Sequence, residues 1–555
     1  MGFARMPPQE LSVRALVIGC LLGALMCLSN LYLSLKVALA APVAIVASLI
    51  AVPLHRSVTR LWPRAVGNPL SLLEANVMQF AASAAGYSTG AAIASATSAY
   101  VMLAGHHLPA FVLLAWTFCG SALGIFFGWP MRRQLIEIEA LPFPSGTAAA
   151  ETLKALFSSG REAVHSARAL GLAGAVGAAT ALLREWTQAS FILVPNALFL
   201  GVGALVGPRI GGSLMLGSFL CFRLAGPRLL REGVIKSADF TGVLGWSLWP
   251  GAFLLAASSI SYLGLKMAMS WRTSGGESLS LGRASLERAE RGVATGFILL
   301  ALAVVFVSWL GFGLSPLAGV LIIAISFVLS VAAARLTGET DQTPTDALGV
   351  VAQLSQAATS RQALANTVAS GIAATTVATS ADFLTALKCG HLVGASPRRQ
   401  LVAQLVGCAA GSVAIVCGFY LLVPQPAILG GSRFPAPGAQ MVAGIARLLS
   451  EGISAMPDAM RLGLVAGAVL GAVLGGVDAV APRLQRWTPS PLGLGLSLLV
   501  PPAMSLMVAI GSGLALVFAR IRPRQAAVLT VPISSGLIVG ESAVGVGLAL
   551  AALAK

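Results

Sequence analysis

The chain has 555 residues, of which 57% are hydrophobic and 10% charged, against roughly 25% charged in a soluble domain. That composition excludes a water-soluble globule and places the protein in a bilayer as an all-α integral membrane protein, a polytopic helical bundle. The formal charge of +16 does not signal nucleic-acid binding, because the basic residues lie between apolar runs with no basic-aromatic tract, and it reads as the positive-inside bias.

Taken in chain order, the first apolar run, 13–34, follows Arg5 and Arg14. "ALA" at 38–40 mimics a signal-peptidase site, but Ala15 to Leu35 is too long for an ordinary signal core and Lys36 interrupts it, so the run reads as a first membrane helix. Further apolar runs fall near 38–54, 70–104, 108–129, 166–184, 191–207, 210–226, 241–267, 292–312, 314–334, 362–380, 400–424, 462–480, 491–518 and 525–553. The runs 70–104, 491–518 and 525–553 exceed one straight crossing and carry Gly or Pro, which predicts broken or re-entrant helices. The expected total is about 14–16 crossings.

Two stretches recur at a nearly fixed offset. "LGVGALVGPRIGGSLM" at 200–215 is echoed by "LGLGLSLLVPPAMSLM" at 492–507, so that Gly201 plus 292 is Gly493 and Ser213 plus 292 is Ser505. "LPFPSGTAAAETLKALFSSG" at 141–160 resembles "SRFPAPGAQMVAGIARLLSEG" at 432–452, with Phe143 plus 291 giving Phe434. The expectation is two repeated halves, 1–270 and 292–555, joined by a basic central loop at 271–291 on the cytoplasmic side, which the N-terminus shares.

Charge inside hydrocarbon is expensive, so polar residues within apolar runs are candidate sites. Glu74, Asn76 and Gln79 interrupt one run. On a helix Asn76 and Gln79 share a face and offer amides, with Glu74 nearby as a proton carrier or a helix-start cap. Glu151 follows a Pro-braced turn and is either a substrate or proton contact or half of a solvated pair with Lys154. "RLTGETDQTPTDALG", 335–349, puts Glu339, Asp341 and Thr345 in a Pro-broken segment before a helix carrying Gln353 and Gln356. Such a break exposes backbone groups beside carboxylates, where a polar solute or a proton can be held. Asp382 ends another run ahead of Lys388, Arg398 and Arg399, and Glu541 lies midway along the last run among glycines.

Seven cysteines, mostly in apolar segments without CxxC or Cys/His pairing, read as buried thiols, with no metal site or cofactor. HExxH, GxxxxGK[ST] and a GxSxG elbow are missing, which argues against an enzyme. An aspartyl dyad of Asp341 and Asp382 would need adjoining helices, and His106 and His107 read as an interfacial turn.

The segments "EANVMQFAASAAG", "LPFPSGTAAAETLKA", "GVGALVGPRIGGSLM", "GETDQTPTDALGVVAQL", "GASPRRQLVAQLVG", "SPLGLGLSLLVPPAMSLMVAIG" and "GLIVGESAVGV" occur in this order. Together they resemble the oligopeptide transporter family, particularly its bacterial branch and the yellow stripe-like metal-chelate transporters. The resemblance implies a proton-coupled secondary transporter of the cytoplasmic membrane that imports small peptides or metal complexes of peptide-like chelators. It leaves homo-oligomerisation open. The chain departs from the family's usual residues at Ser145, where relatives carry Glu, at Ala75, at Asp346 and at Ala386. Those departures bear on substrate identity. Competing readings are a transporter or exporter of another amphipathic metabolite and a non-transporting component of a membrane assembly.

Overall fold

The computed structural model of the protein describes residues 10–37, 40, 43–62, 68–87, 90, 92–158, 160–187, 196–235, 237–273, 291–340, 343, 345–431, 433–451, 457–485 and 487–553. These form helices α1 (Val13–Val37), α2 (Ala44–Leu61), α3 (Leu72–Gly86), α4 (Ser98–Ala104, led in by a π-helical turn, Ile93–Thr97), α5 (Ala110–Arg132), α6 (Pro144–Ser158) and α7 (Gly160–Thr187). There follow α8 (Ala197–Ser218), α9 (Gly226–Arg231), α10 (Phe240–Thr273), α11 (Arg291–Phe312), α12 (Pro316–Thr340), α13 (Thr345–Ala357) and α14 (Ala363–Val393). The chain ends with α15 (Pro397–Leu422), α16 (Pro437–Glu451), α17 (Asp458–Val480), α18 (Pro491–Ser497), α19 (Pro502–Ile521) and α20 (Pro523–Leu553).

No strand occurs among the described residues, and ten helical stretches are long and apolar enough to cross a membrane. Helices α7, α10 and α14, with 28, 34 and 31 residues, are also long enough to do so. The protein is an all-α, polytopic membrane protein.

Gly and Pro decide where the helices break. The run 70–104 breaks after Gly86 and resumes at Ile93, and the run 491–518 breaks between Ser497 and Pro502. The break expected between the runs 191–207 and 210–226 falls at Gly207 of α8, whose φ of 79° and ψ of 174° are non-helical and open to glycine, just before the N–H-free Pro208. One expectation is corrected. The run 525–553 is unbroken: α20 passes through Pro532 as a helix, as neighbouring helices permit in a bundle.

The closest helix contacts are backbone against backbone. On α17, Gly467, Gly471 and Gly475 recur every fourth residue and face Pro250, Leu254 and Ser258 of α10. A Cβ at Gly471 would stand 2.9 Å from Leu254 Cα, and one at Gly475 2.7 Å from the Ser258 carbonyl carbon. Gly540 of α20 is set the same way against Gly174 of α7, where a Cβ would reach Gly174 Cα at 2.9 Å. Gly511 of α19 meets Leu200 of α8, with Leu200 Cα at 2.8 Å from an added Cβ. In lipid, where apolar surface alone gives no preference for a helix partner, such close approach supplies the packing energy.

These pairings cross between the two parts of the chain reciprocally. Helix α10 packs on α17, α7 on α20, and α8 on α19. The turn before α6 donates Phe143 N–H to Gly338 O at the end of α12, and the turn before α16 donates Ala436 N–H to Leu35 O at the end of α1, both at 2.8 Å. Phe143 and Ala436 each take a positive φ, 41° and 46°, and each precedes the proline that starts a helix. Phe143 thus shares its backbone form and its anchoring bond with Ala436, two residues beyond Phe434. Helices α1 and α12 run in opposite directions. Helix α1 begins beside the start of α3, the end of α14 and the turn before α6, which is where α12 ends. Most of the central loop, 274–290, lies outside the described residues.

Gly471→Val should lower stability by about 1–3 kcal/mol, read as a depressed melting temperature in detergent. Gly513→Ala, where an added Cβ meets nothing within 4 Å, should melt like wild type. Equal behaviour of the two variants would contradict the backbone contact as the packing determinant.

Candidate functional site

A buried polar seam runs between α3, α14 and α15. Asn76, Gln79 and Ser83 fall at i, i+3 and i+7 on one face of α3, and Asp382 and Cys389 fall seven apart on α14. Asp382 accepts from Ser83 Oγ at 2.7 Å and from Gln404 Nε2 of α15 at 2.9 Å. Among the described residues no Lys, Arg or His lies within ion-pair range of it. About two turns along, Gln79 Nε2 donates to Asn76 Oδ1 at 3.2 Å and to Cys389 Sγ at 3.0 Å, while Ser48 of α2 donates to Gln79 Oε1 at 2.8 Å. Asn76 Nδ2, Gln404 Oε1 and both polar atoms of Gln400 are buried without a partner among the described residues. A seam with spare donors and acceptors can take water or a polar solute.

Other carboxylates within the bundle are tied to arginines. Glu74 closes a capping box with Ser71 at the start of α3 and takes a bidentate pair from Arg14, Nε to Oε1 and Nη2 to Oε2, both 2.8 Å. Its helix-start role is thus the one the geometry displays. Glu541, 2% exposed, pairs with Arg184 of α7 and accepts the Leu198 N–H at 2.9 Å. It caps the N-terminus of α8, where a negative charge meets free amides and the positive end of the helix dipole. Glu139 pairs with Arg335 at 2.7 Å.

The remaining candidates are not gathered into the seam. Gln353 of α13 is buried and donates to Val442 O of α16 at 3.1 Å. Thr345 is partly exposed at the start of α13. Glu339 ends α12 with its side chain undescribed, and Asp341 lies outside the described residues. Glu151 is exposed and, among the described residues, forms no ion pair with Lys154. It lines an open cleft of about 540 Å³ with Pro142, Thr147, Ala148, Lys388 and Leu392. No group of three His, Cys, Asp or Glu side chains converges among the described residues.

Ser48, Ser83, Cys389 and Gln404 escape a reading of the sequence one run at a time, since their partners lie 22 to 310 residues away. A signal was present in the seven-residue recurrence of Asp382 and Cys389, which places both on one helix face.

Glu541→Gln removes the anion from Arg184 and should cost about 3 kcal/mol, seen as a lower melting temperature that Arg184→Gln added in the same chain partly restores. Wild-type stability in the single variant would refute a structural role for the pair.

The description "OPT oligopeptide transporter protein" belongs to a family profile that matches residues 10–552. "Probable metal-nicotianamine transporter YSL8" of Arabidopsis thaliana is 29% identical over 181 residues, 32% of this chain and 25% of the relative. "Metal-nicotianamine transporter YSL2" of the same plant is 30% identical over 195 residues, 35% of this chain and 29% of the relative. "Putative oligopeptide transporter" of Haemophilus influenzae is 26% identical over 558 aligned residues, 86% of this chain and 87% of the relative. The match thus spans a quarter or slightly more of these plant proteins and most of the bacterial one. With the family profile extending across every helix that builds the seam, the chain belongs to the OPT oligopeptide transporter family.

Proposed function

We propose that the protein is a proton-coupled secondary transporter that brings small peptides, or metal complexes of peptide-like chelators, into the cytoplasm, with Asp382 as the coupling carboxylate. The observation that carries this reading is the contrast among buried acids. Glu74 and Glu541 are held by arginines, whereas Asp382 has two neutral donors and no cation in range among the described residues. A carboxylate locked to a guanidinium stays ionised through a cycle. One held by a hydroxyl and an amide can exchange a proton as its surroundings alternate between wet and dry.

The names of the relatives support the solute class, and the crossed inverted halves support alternating access, in which one half rocks against the other around a fixed site. Arg14, Arg56, Arg60, Arg132, Arg133 and Arg399 gather at the end of the molecule where α1 begins. By the positive-inside rule that end and the N-terminus face the cytoplasm, in the cytoplasmic membrane.

Proteoliposomes with an inward proton gradient, offered a di- to hexapeptide pool with and without ferric or nickel chelates, test the proposal. Wild type should accumulate a solute above equilibrium. Asp382→Asn should lose gradient-driven accumulation by about tenfold or more while retaining solute exchange between equal pools and a near-wild-type melting temperature. Gradient-driven accumulation by Asp382→Asn at the wild-type level would remove Asp382 from coupling. No accumulation by folded wild type would remove the transport reading itself.

A further inference from the structure

The cleft beside α6 holds two opposite charges that do not satisfy each other. One wall is the α6 face bearing Thr147, Ala148 and Glu151, and the other is the α14 face bearing Lys388 and Leu392, with Pro142 beside them. The two helices are drawn together by Gly146, where an added Cβ would lie 3.3 Å from Lys388 Cβ. Thr147 turns its hydroxyl back to Pro142 O at 2.6 Å, bracing the Pro142–Phe143–Pro144 turn that sets the wall's position.

Lys388 is only 8% exposed, yet among the described residues it takes part in no hydrogen bond and no ion pair. Lys388 lines the open cleft with no anion beside it, and charges placed this way within membrane proteins mark ligand paths. Glu151, across the cleft, likewise has no ion-pair partner among the described residues. The cleft's size, about 540 Å³, falls in the range of small-molecule sites. Its apolar part comes from Pro142, Ala148 and Leu392. Lys388 also lies six residues from Asp382 on the same helix, about 9 Å along the axis.

We infer that this cleft is a binding site for a zwitterion with a free carboxylate and a free ammonium, the chemistry of a short unblocked peptide. Lys388 takes the carboxylate and Glu151 the ammonium. The inference rests on the transport reading above and deepens it, because it says which chemical ends of the solute are recognised at the cytoplasmic mouth of the path. A ligand with both charges neutralises both walls at once, whereas a simple anion or cation leaves one of them unmatched. Apolar lining between the two charges suits a peptide's body and carries little side-chain selectivity.

The test uses the full chain in nanodiscs, with binding of tritiated tri-alanine competed by tri-alanine, N-acetyl-tri-alanine and tri-alanine amide. Against wild type, blocking either terminus should weaken competition about tenfold. In Lys388→Gln the amide should compete as well as the free acid, and in Glu151→Gln the N-acetyl form should compete as well as the free amine, while Lys388→Arg should behave as wild type. Glu151 is exposed, so its variant reads the site without endangering the fold. If blocking a terminus costs the same in wild type and in the matching variant, or if tri-alanine does not bind wild type, the inference is overturned. Should gradient-driven peptide uptake persist in that case, only the cleft assignment fails. Should uptake also be absent, the transport reading fails with it.

Discussion

Close approach of helix backbones is the constraint on which the rest of the structure depends. Between α17 and α10 three glycines in successive turns remove the side chains that would hold the axes apart. The same device joins α20 to α7 and α19 to α8. In lipid a leucine surface would be equally content against acyl chains, so shape has to do the selecting. Because each of these contacts joins an early helix to a late one, the two parts of the chain are clasped through one another rather than set side by side.

That clasp fixes two matching turns. Phe143 and Ala436, both held at positive φ and both ahead of a proline, are each anchored by one backbone bond to the end of a helix from the other part of the chain. Short helices α6 and α16 start from these turns at opposite ends of the molecule. Their surroundings differ in charge. The α6 turn stands beside Lys388, while near the α16 turn Lys36 rests over the rings of Tyr32 and Phe434 at 5.6 Å from each centroid, a cation covered by aromatic faces. Two turns of the same backbone form therefore carry distinct chemistry.

The buried acids divide by their partners. Arg14 and Arg184 neutralise Glu74 and Glu541 and use them as caps for α3 and α8, so these acids secure helix ends. Asp382 has a hydroxyl and an amide instead. It is this distinction, and not depth in the bundle, that leads us to propose Asp382 of α14 for proton coupling.

Composition and run length by themselves determined the membrane class and the all-helical fold, since a helix that crosses hydrocarbon must be about 20 apolar residues long and must bond its own backbone, and seven motif segments in order carried the family resemblance. The spacing of Asn76 and Gln79 also showed their shared face, because the helical repeat is local. Other features needed the tertiary structure. Glu541 reads in sequence as a bare carboxylate among glycines, and only folding brings up Arg184 from 357 residues away. The likeness of the turns at Phe143 and Ala436 followed from backbone conformation, which the letters do not record. Lys388 reads as one more basic residue after an apolar run, and it came to line a cleft opposite Glu151 only when α6 was set against α14. A charge's role depends on what stands within a few ångströms of it, and in a bundle held by contacts between distant helices those neighbours come from everywhere in the chain.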